Sequence, residues 1–260
     1  MSLTYSSYLK VAELLRLQQV QSDPPEHDET LFIVIHQVYE LWFKQLIHEF
    51  EKIKRNFSDN DMYGAIAAFQ RVRTIMKTLV AQLDILETMT PMSFLTFRDR
   101  LEAASGFQSV QFRELEFMLG HKRPAMLKYH EPGSEDHATL ERRLAERSVP
   151  DHFHEFLSHR GADIPQESFG NGSSGPTQPT QEVQDALLDF YRTKPDVTML
   201  LEAMTDFDEG MQEWRYRHVK MVERTIGNKQ GTGGSLGVAF LKESLFKPVF
   251  PDLWAIRSKL

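Results

Sequence analysis

Two histidines stand where helical spacing should bury them. From Thr30 to Phe57, apolar residues recur at three- and four-residue intervals: Phe32, Ile35, Tyr39, Phe43, Leu46, Ile47 and Phe50. His36 falls inside that stripe, one turn after Phe32. From Asp206 to Ile226 the stripe is Met211, Trp214, Met221 and Val222, and His218 sits in it one turn after Trp214. Side chains three or four apart share a helix face, so both imidazoles point inward. A buried imidazole needs a hydrogen-bond partner or a metal. The plain reading is a pair of satisfied core histidines. The chemical reading is that they face each other across a flat, apolar, iron-bearing group. One neutral imidazole would ligate the iron and leave the opposite position open to a gas. The other would accept one hydrogen bond and donate another.

Three further segments offer chemistry. In residues 93–109, SFLTFRDRLEAASGFQS, Arg98 lies beside Phe94 and Phe97. It is either a surface ion-pair partner of Asp99 or Glu102, or a forked clamp for a carboxylate. Ser105, just before Gly106, could present a hydroxyl to the same pocket. Around His218, Arg215, Arg217, Lys220 and Arg224 form a mostly solvated basic face, from which one or two could pair with haem propionates. Residues 230–237, QGTGGSLG, carry four glycines. They lack the Gly-Lys-Ser/Thr ending of a phosphate loop, and Leu236 replaces the third glycine of a dinucleotide fingerprint. They read as a linker or as a lid with Thr232 and Ser235 as its hydroxyls.

The elements that must position these groups are helical almost throughout. Helices are expected near 4–20, 28–57, 60–89, 92–101, 107–119, 135–147, 150–159, 181–193, 196–226, 238–246 and 251–257. Ser58-Asp59 and Ser134 are expected caps, and Pro91, Pro150, Pro195 and Pro251 sit near helix starts. No alternating strand pattern and no internal repeat is found. The fold class is therefore all-α: a single helical domain over 1–260, of about ten helices, built around a bundle of long helices enclosing the pocket. The Ser/Gly/Pro-rich stretch 168–181 is expected to be a mobile loop within it.

Composition removes other chemistries. The chain has 260 residues and no cysteine, which excludes disulfides, iron–sulfur clusters, cysteine zinc sites and covalently attached haem. A net charge of -7 disfavours nucleic acid and anionic membranes as partners. No apolar run approaches a membrane span and MSLTYSSYLK lacks a signal-peptide core, so a cytoplasmic protein is expected. Glu-x-x-His and two histidines four apart are both missing from the sequence, and His152, His154 and His159 read as a polar helix face.

Taken together, LTYSSYLK at 3–10, HDETLFIVIHQVYELWFKQL at 27–46, LETMTPMSFLTFRDRL at 86–101, SGFQSVQFRELEFMLG at 105–120, WRYRHVKMVERTIG at 214–227 and GTGGSLGVAFL at 231–241 resemble the tryptophan 2,3-dioxygenase family. The resemblance implies an all-helical homotetramer that binds haem b non-covalently, one iron per subunit. Its implied reaction oxidises L-tryptophan with O2 to N-formyl-L-kynurenine, the first step of tryptophan degradation by the kynurenine pathway. Carried over by motif, His218 is the proximal iron ligand and His36 the distal catalytic histidine near the indole nitrogen. Arg98 grips the substrate carboxylate, Thr232 contacts the ammonium and carboxylate end, Phe32 packs on the indole, and Ser105 lies on the distal side of the haem. Tyr5, Tyr8 and Leu9 would be donated to the site by an adjoining subunit. Phe94 stands where some bacterial members have tyrosine, and Leu236 where many have serine. The alternative is a haem-dependent monooxygenase acting on a tryptophan derivative.

Overall fold

The computed structural model describes residues 2–102, 104–165, 168–170, 175–227, 229 and 237–260. Two short helices, α1 (Tyr5–Leu9) and α2 (Val11–Leu14), open the chain. They replace the single helix expected over 4–20, because Lys10 adopts a left-handed backbone (φ 54°) between them. Then follow α3 (His27–Ser58), α4 (Met62–Leu86), α5 (Pro91–Arg98), α6 (Val110–Met118), α7 (Glu135–Ala145) and α8 (Val149–His159). The chain ends with α9 (Gln181–Thr193), α10 (Pro195–Ile226), α11 (Val238–Lys242) and α12 (Pro251–Ala255). Short 3-10 turns occupy Asp99–Leu101, Gly106–Gln108, Pro124–Tyr129 and Arg257–Lys259. No strand occurs among the described residues beyond an isolated bridge between Lys122 and Gly175. None of their helices is long and apolar enough to cross a membrane.

Local chemistry sets most helix ends. Ser134 caps α7 by accepting from the His137 amide, and Pro91 and Pro195 stand in the first turns of α5 and α10. The cap expected at Ser58-Asp59 falls elsewhere. α3 continues through Ser58, whose hydroxyl donates to Glu155 at 2.9 Å, and Asp61 caps α4 by accepting from the Gly64 amide at 2.9 Å.

The frame is α3 and α4, joined by the short turn 59–61 and therefore antiparallel, with α10 laid along α4 and α8 against α3. One end of this frame is closed by aromatic side chains. Phe50, Phe57, Phe69 and Phe207 are fully buried. Phe50 meets Phe207 at 5.2 Å between ring centroids, Phe69 meets Phe207 at 6.1 Å, and Phe57 meets Phe156 of α8 at 5.4 Å. Burying a phenylalanine side chain is worth roughly 2–3 kcal/mol, so this cluster fixes the spacing of α3 and α10 that the opposite end exploits.

Candidate active site

At that opposite end the same two helices line a cavity of about 280 Å³, close to the lower bound of small-molecule sites. α3 contributes Phe32, Ile35, His36, Tyr39, Glu40 and Phe43. α10 contributes Trp214, Arg215 and His218, and α5 and α6 close the sides.

His36 lies 4.1 Å from Phe32 between ring centroids, and Phe32 packs in turn on Phe94 at 5.7 Å and Phe97 at 5.6 Å. The Nδ1 of His36 is 2.7 Å from the Phe32 carbonyl oxygen. A carbonyl can only accept, so Nδ1 carries the proton and Nε2 keeps its lone pair. Burial outweighs the carbonyl bond and the nearby Glu40 charge, and it holds the His36 pKa below the usual imidazole value. The ring is therefore neutral at pH 7.

His218 stacks on Trp214, one turn earlier on α10, with centroids 5.3 Å apart and planes 12° from parallel. Trp214 is itself wedged against Phe112 at 5.3 Å, Tyr39 at 6.4 Å and Phe43 at 6.4 Å. Tyr39 is pinned by its hydroxyl, which donates to the Leu79 carbonyl at 2.6 Å, and burial pushes its pKa up to about 12. Burial first, then the His36 ring, lowers the His218 pKa to about 4. Among the described residues neither ring nitrogen of His218 has a hydrogen-bond partner. The sequence expected either such a partner or a metal ligand, and the described residues supply no partner.

Arg98, at the C-terminal end of α5, and Ser105 both line the cavity. The Ser105 hydroxyl also accepts from the Phe107 amide at 3.3 Å, capping the 106–108 turn rather than ending the preceding helix. Thr232, with Ser235 and Leu236, lies outside the described residues. Tyr5, Tyr8 and Leu9 are exposed and belong to no wall of this chain's own cavity. The cavity thus gathers His36, Phe32, Arg98, Ser105 and His218, and leaves the N-terminal trio apart.

The basic residues around His218 separate cleanly. Arg217 pairs with Asp84 at 2.6 Å, Lys220 with Glu223 at 2.8 Å, and Arg224 with Glu87 at 3.6 Å, all away from the cavity. Only Arg215 turns inward. Its guanidinium donates to the carbonyls of Lys247 at 2.7 Å and Ser244 at 3.4 Å. The sequence reading missed Arg113, Glu116 and Arg123, which also line the cavity. The available signal was the run Arg113-Glu114-Leu115-Glu116, set between Phe112 and Phe117. Its charges cannot all escape the buried faces of so short a helix. His154 is likewise buried, with Nδ1 donating to the Ser168 carbonyl at 3.0 Å, and is not on a polar face. No group of three or more metal-ligating side chains occurs among the described residues, so His152, His154 and His159 form no metal site.

These features define an all-helical protein with a largely apolar cavity between two neutral imidazoles and arginines at its margins. Its sequence matches the tryptophan 2,3-dioxygenase family model over residues 1–161 and 179–260. The gap in that match coincides with most of the Ser/Gly/Pro stretch. The chain is 54% identical over 259 residues to a tryptophan 2,3-dioxygenase of Herpetosiphon aurantiacus, covering 100% of this chain and 99% of the relative. It is 50% identical to one of Anaeromyxobacter sp. strain K, covering 100% and 97%, and 40% identical to one of Myxococcus xanthus, covering 99% and 89%. The chain belongs to the tryptophan 2,3-dioxygenase family.

Proposed function

We propose that this protein is a haem-dependent dioxygenase that inserts both atoms of O2 across the indole C2–C3 bond of L-tryptophan to give N-formyl-L-kynurenine. Membership of the family along the full chain supports the reaction. The observation that carries the site assignment is His218, a neutral imidazole opening onto an apolar cavity with no hydrogen-bond partner for either ring nitrogen among the described residues. That donor suits haem iron. The aromatic and aliphatic walls suit a porphyrin face, and the inward arginines suit its carboxylate edge. Haem b, when bound, supplies the iron chemistry that activates dioxygen.

The chain's own residues do the rest. Arg98 takes the substrate carboxylate in a charge-assisted fork, which fixes the amino acid's orientation. Phe32 packs on the indole. His36, with its proton held on Nδ1 by the Phe32 carbonyl, offers Nε2 as acceptor to the indole N–H. Its depressed pKa keeps that acceptor available below pH 6.5. Ser105 adds a hydroxyl near the same wall, and Thr232 would meet the ammonium and carboxylate end. The apolar walls exclude water from the reacting carbons. Tyr5, Tyr8 and Leu9, apolar and exposed here, complete a neighbouring subunit's pocket in a homotetramer.

The test is turnover. Purified protein, reduced without oxygen and then given O2 and L-tryptophan, is expected to accumulate N-formylkynurenine absorbance, with both product oxygens labelled from 18O2. A colourless protein that makes no product overturns the proposal, and a product carrying a single labelled oxygen points to the monooxygenase.

A further inference from the structure

The N-terminal arm and its root are held very differently. Every residue from 2 to 17 except Val11 is exposed, Leu3, Tyr5, Tyr8, Leu15 and Leu17 among them, so the described residues give these large apolar side chains little cover. The arm nevertheless keeps its own shape. In α1, Thr4 accepts from the Ser7 amide at 3.3 Å and Ser7 accepts from the Thr4 amide at 2.9 Å, a complete capping box.

The root, by contrast, is bonded to α3 at two levels. At the start of that helix the Glu29 carboxylate, 1% exposed, accepts from the amides of Gln21 at 2.7 Å and Ser22 at 3.0 Å and from the Ser22 hydroxyl. Two turns further on, Gln37 donates to the Leu17 carbonyl at 3.0 Å and accepts from Gln18 at 2.6 Å. Glu29 is the third residue of α3, where a capping-box glutamate would take the amide of the cap residue, Glu26. Here the Ser22 hydroxyl takes that amide at 2.8 Å, and Glu29 is spent on the incoming chain instead. Burial alone would raise the Glu29 pKa. The Ser22 hydroxyl and the Gln21 and Ser22 amides outweigh it and hold the carboxyl below its usual value, so the clamp is charged at pH 7.

Glu29, Phe32 and His36 follow at three- and four-residue intervals and share one face of α3. Phe32 and His36 line this subunit's own cavity. The first turns of α3 therefore carry both a wall of one pocket and the root of the arm that leaves it.

We propose that Glu29 is a positioning residue for the neighbouring subunit's site: by fixing the arm's root on α3 it aims Tyr5, Tyr8 and Leu9 into the next pocket. This role rests on the arm donation stated under the proposed function. An arm loose at its root would have to be ordered each time substrate is enclosed, a cost that raises KM and leaves haem binding alone.

Glu29→Gln keeps the side chain's size but turns an NH2 group towards donors. Its homo-oligomer is expected to show an unchanged Soret band and a KM for L-tryptophan raised about tenfold, the low end of what a hydrogen bond to a charged group contributes. Because Glu29 shares a helix face with His36, action on its own pocket must be separated from action on the neighbour's. Hybrid oligomers of Glu29→Gln and His218→Ala chains, co-expressed with different tags and purified through both, make that separation. All turnover then comes from Glu29→Gln pockets, and those that receive the well-held arm of a His218→Ala chain are expected to regain the wild-type KM. Hybrids that keep the raised KM, or an unchanged KM in the Glu29→Gln homo-oligomer, overturn the role of Glu29. A companion hybrid of Tyr8→Ala and His218→Ala tests the donation with the clamp intact. If that hybrid also fails to regain the wild-type KM, the arm donation itself falls; if it recovers and the Glu29→Gln hybrid does not, the clamp alone falls. Should Glu29→Gln not fold, Ser22→Ala, which removes one donor to the carboxylate, is expected to raise KM about threefold with the same recovery in hybrids; no rise overturns the clamp.

Discussion

α3 and α10 are built from the same kinds of residue at both ends, yet the two ends do opposite things. Towards the C-terminus of α3, Phe50 and Phe57 meet Phe69, Phe156 and Phe207, and all five rings are fully buried. Towards its N-terminus, Phe32 and His36 line a cavity together with Trp214 and His218 of α10. The closed half makes contacts that are worth something only to the fold. Among the described residues, the open half leaves the His218 imidazole and the Nε atoms of Arg113 and Arg215 without hydrogen-bond partners, at a cost to stability. A helical stripe therefore says which residues turn inward, but not whether they meet other side chains or a guest.

Substitutions can separate the two halves. The largest effect is expected at His218: replacement by alanine should abolish stoichiometric haem binding, read by the Soret band, while the far-ultraviolet helical signal is kept. A His218→Ala protein that retains haem and full activity removes the ligand assignment. In the closed half, Phe207→Ala should cost about 3–5 kcal/mol of unfolding free energy through the cavity it leaves, with no change in haem affinity for whatever protein remains folded. Denaturant titration and haem titration on one sample check both statements.

Acid should act on the charged margin of the open half. His121, buried beside Arg215, has its pKa lowered to about 4 by burial first and that guanidinium second. The unfolded chain takes this proton below pH 6.5 and the folded chain resists it until about pH 4. Stability is thus complete above pH 6.5 and falls as pH drops through that window. Between pH 7 and pH 5 the His121 share is about 2 kcal/mol. Denaturant curves of His121→Asn should show a correspondingly shallower loss, and an unchanged slope refutes the assignment. An effect of similar size is expected at Arg98: conversion to alanine should raise the KM for L-tryptophan about 10- to 100-fold, the scale of one charged hydrogen-bonded clamp, with the haem spectrum intact. An unchanged KM removes the clamp.

Much of this was legible in the chain. The 3.6-residue stripes gave α3, α4 and α10 to within a few residues and put His36 and His218 inside; α9, expected at 181–193, is Gln181–Thr193. What failed was decided at a distance. Nothing local marks Lys10 as a left-handed break. His154 looked polar because the segment that covers it, ending its hydrogen bond at Ser168, lies fourteen residues on. Arg113 and Glu116 were missed because periodicity reports spacing and not which later element covers a surface. Here Arg123 and Phe240 supply that cover.

Asp208 gives the chain's last segment an unexpected importance. Its one carboxylate gathers two main-chain amides and an indole from 249–254, and burial already presses its pKa upward. Deleting everything after Pro248 would leave that oxygen pair with no donors, three turns from His218 on the same helix. On the haem proposal, a tail trimmed for convenience would then show up as a pale protein, its fault lying in the helix that carries His218.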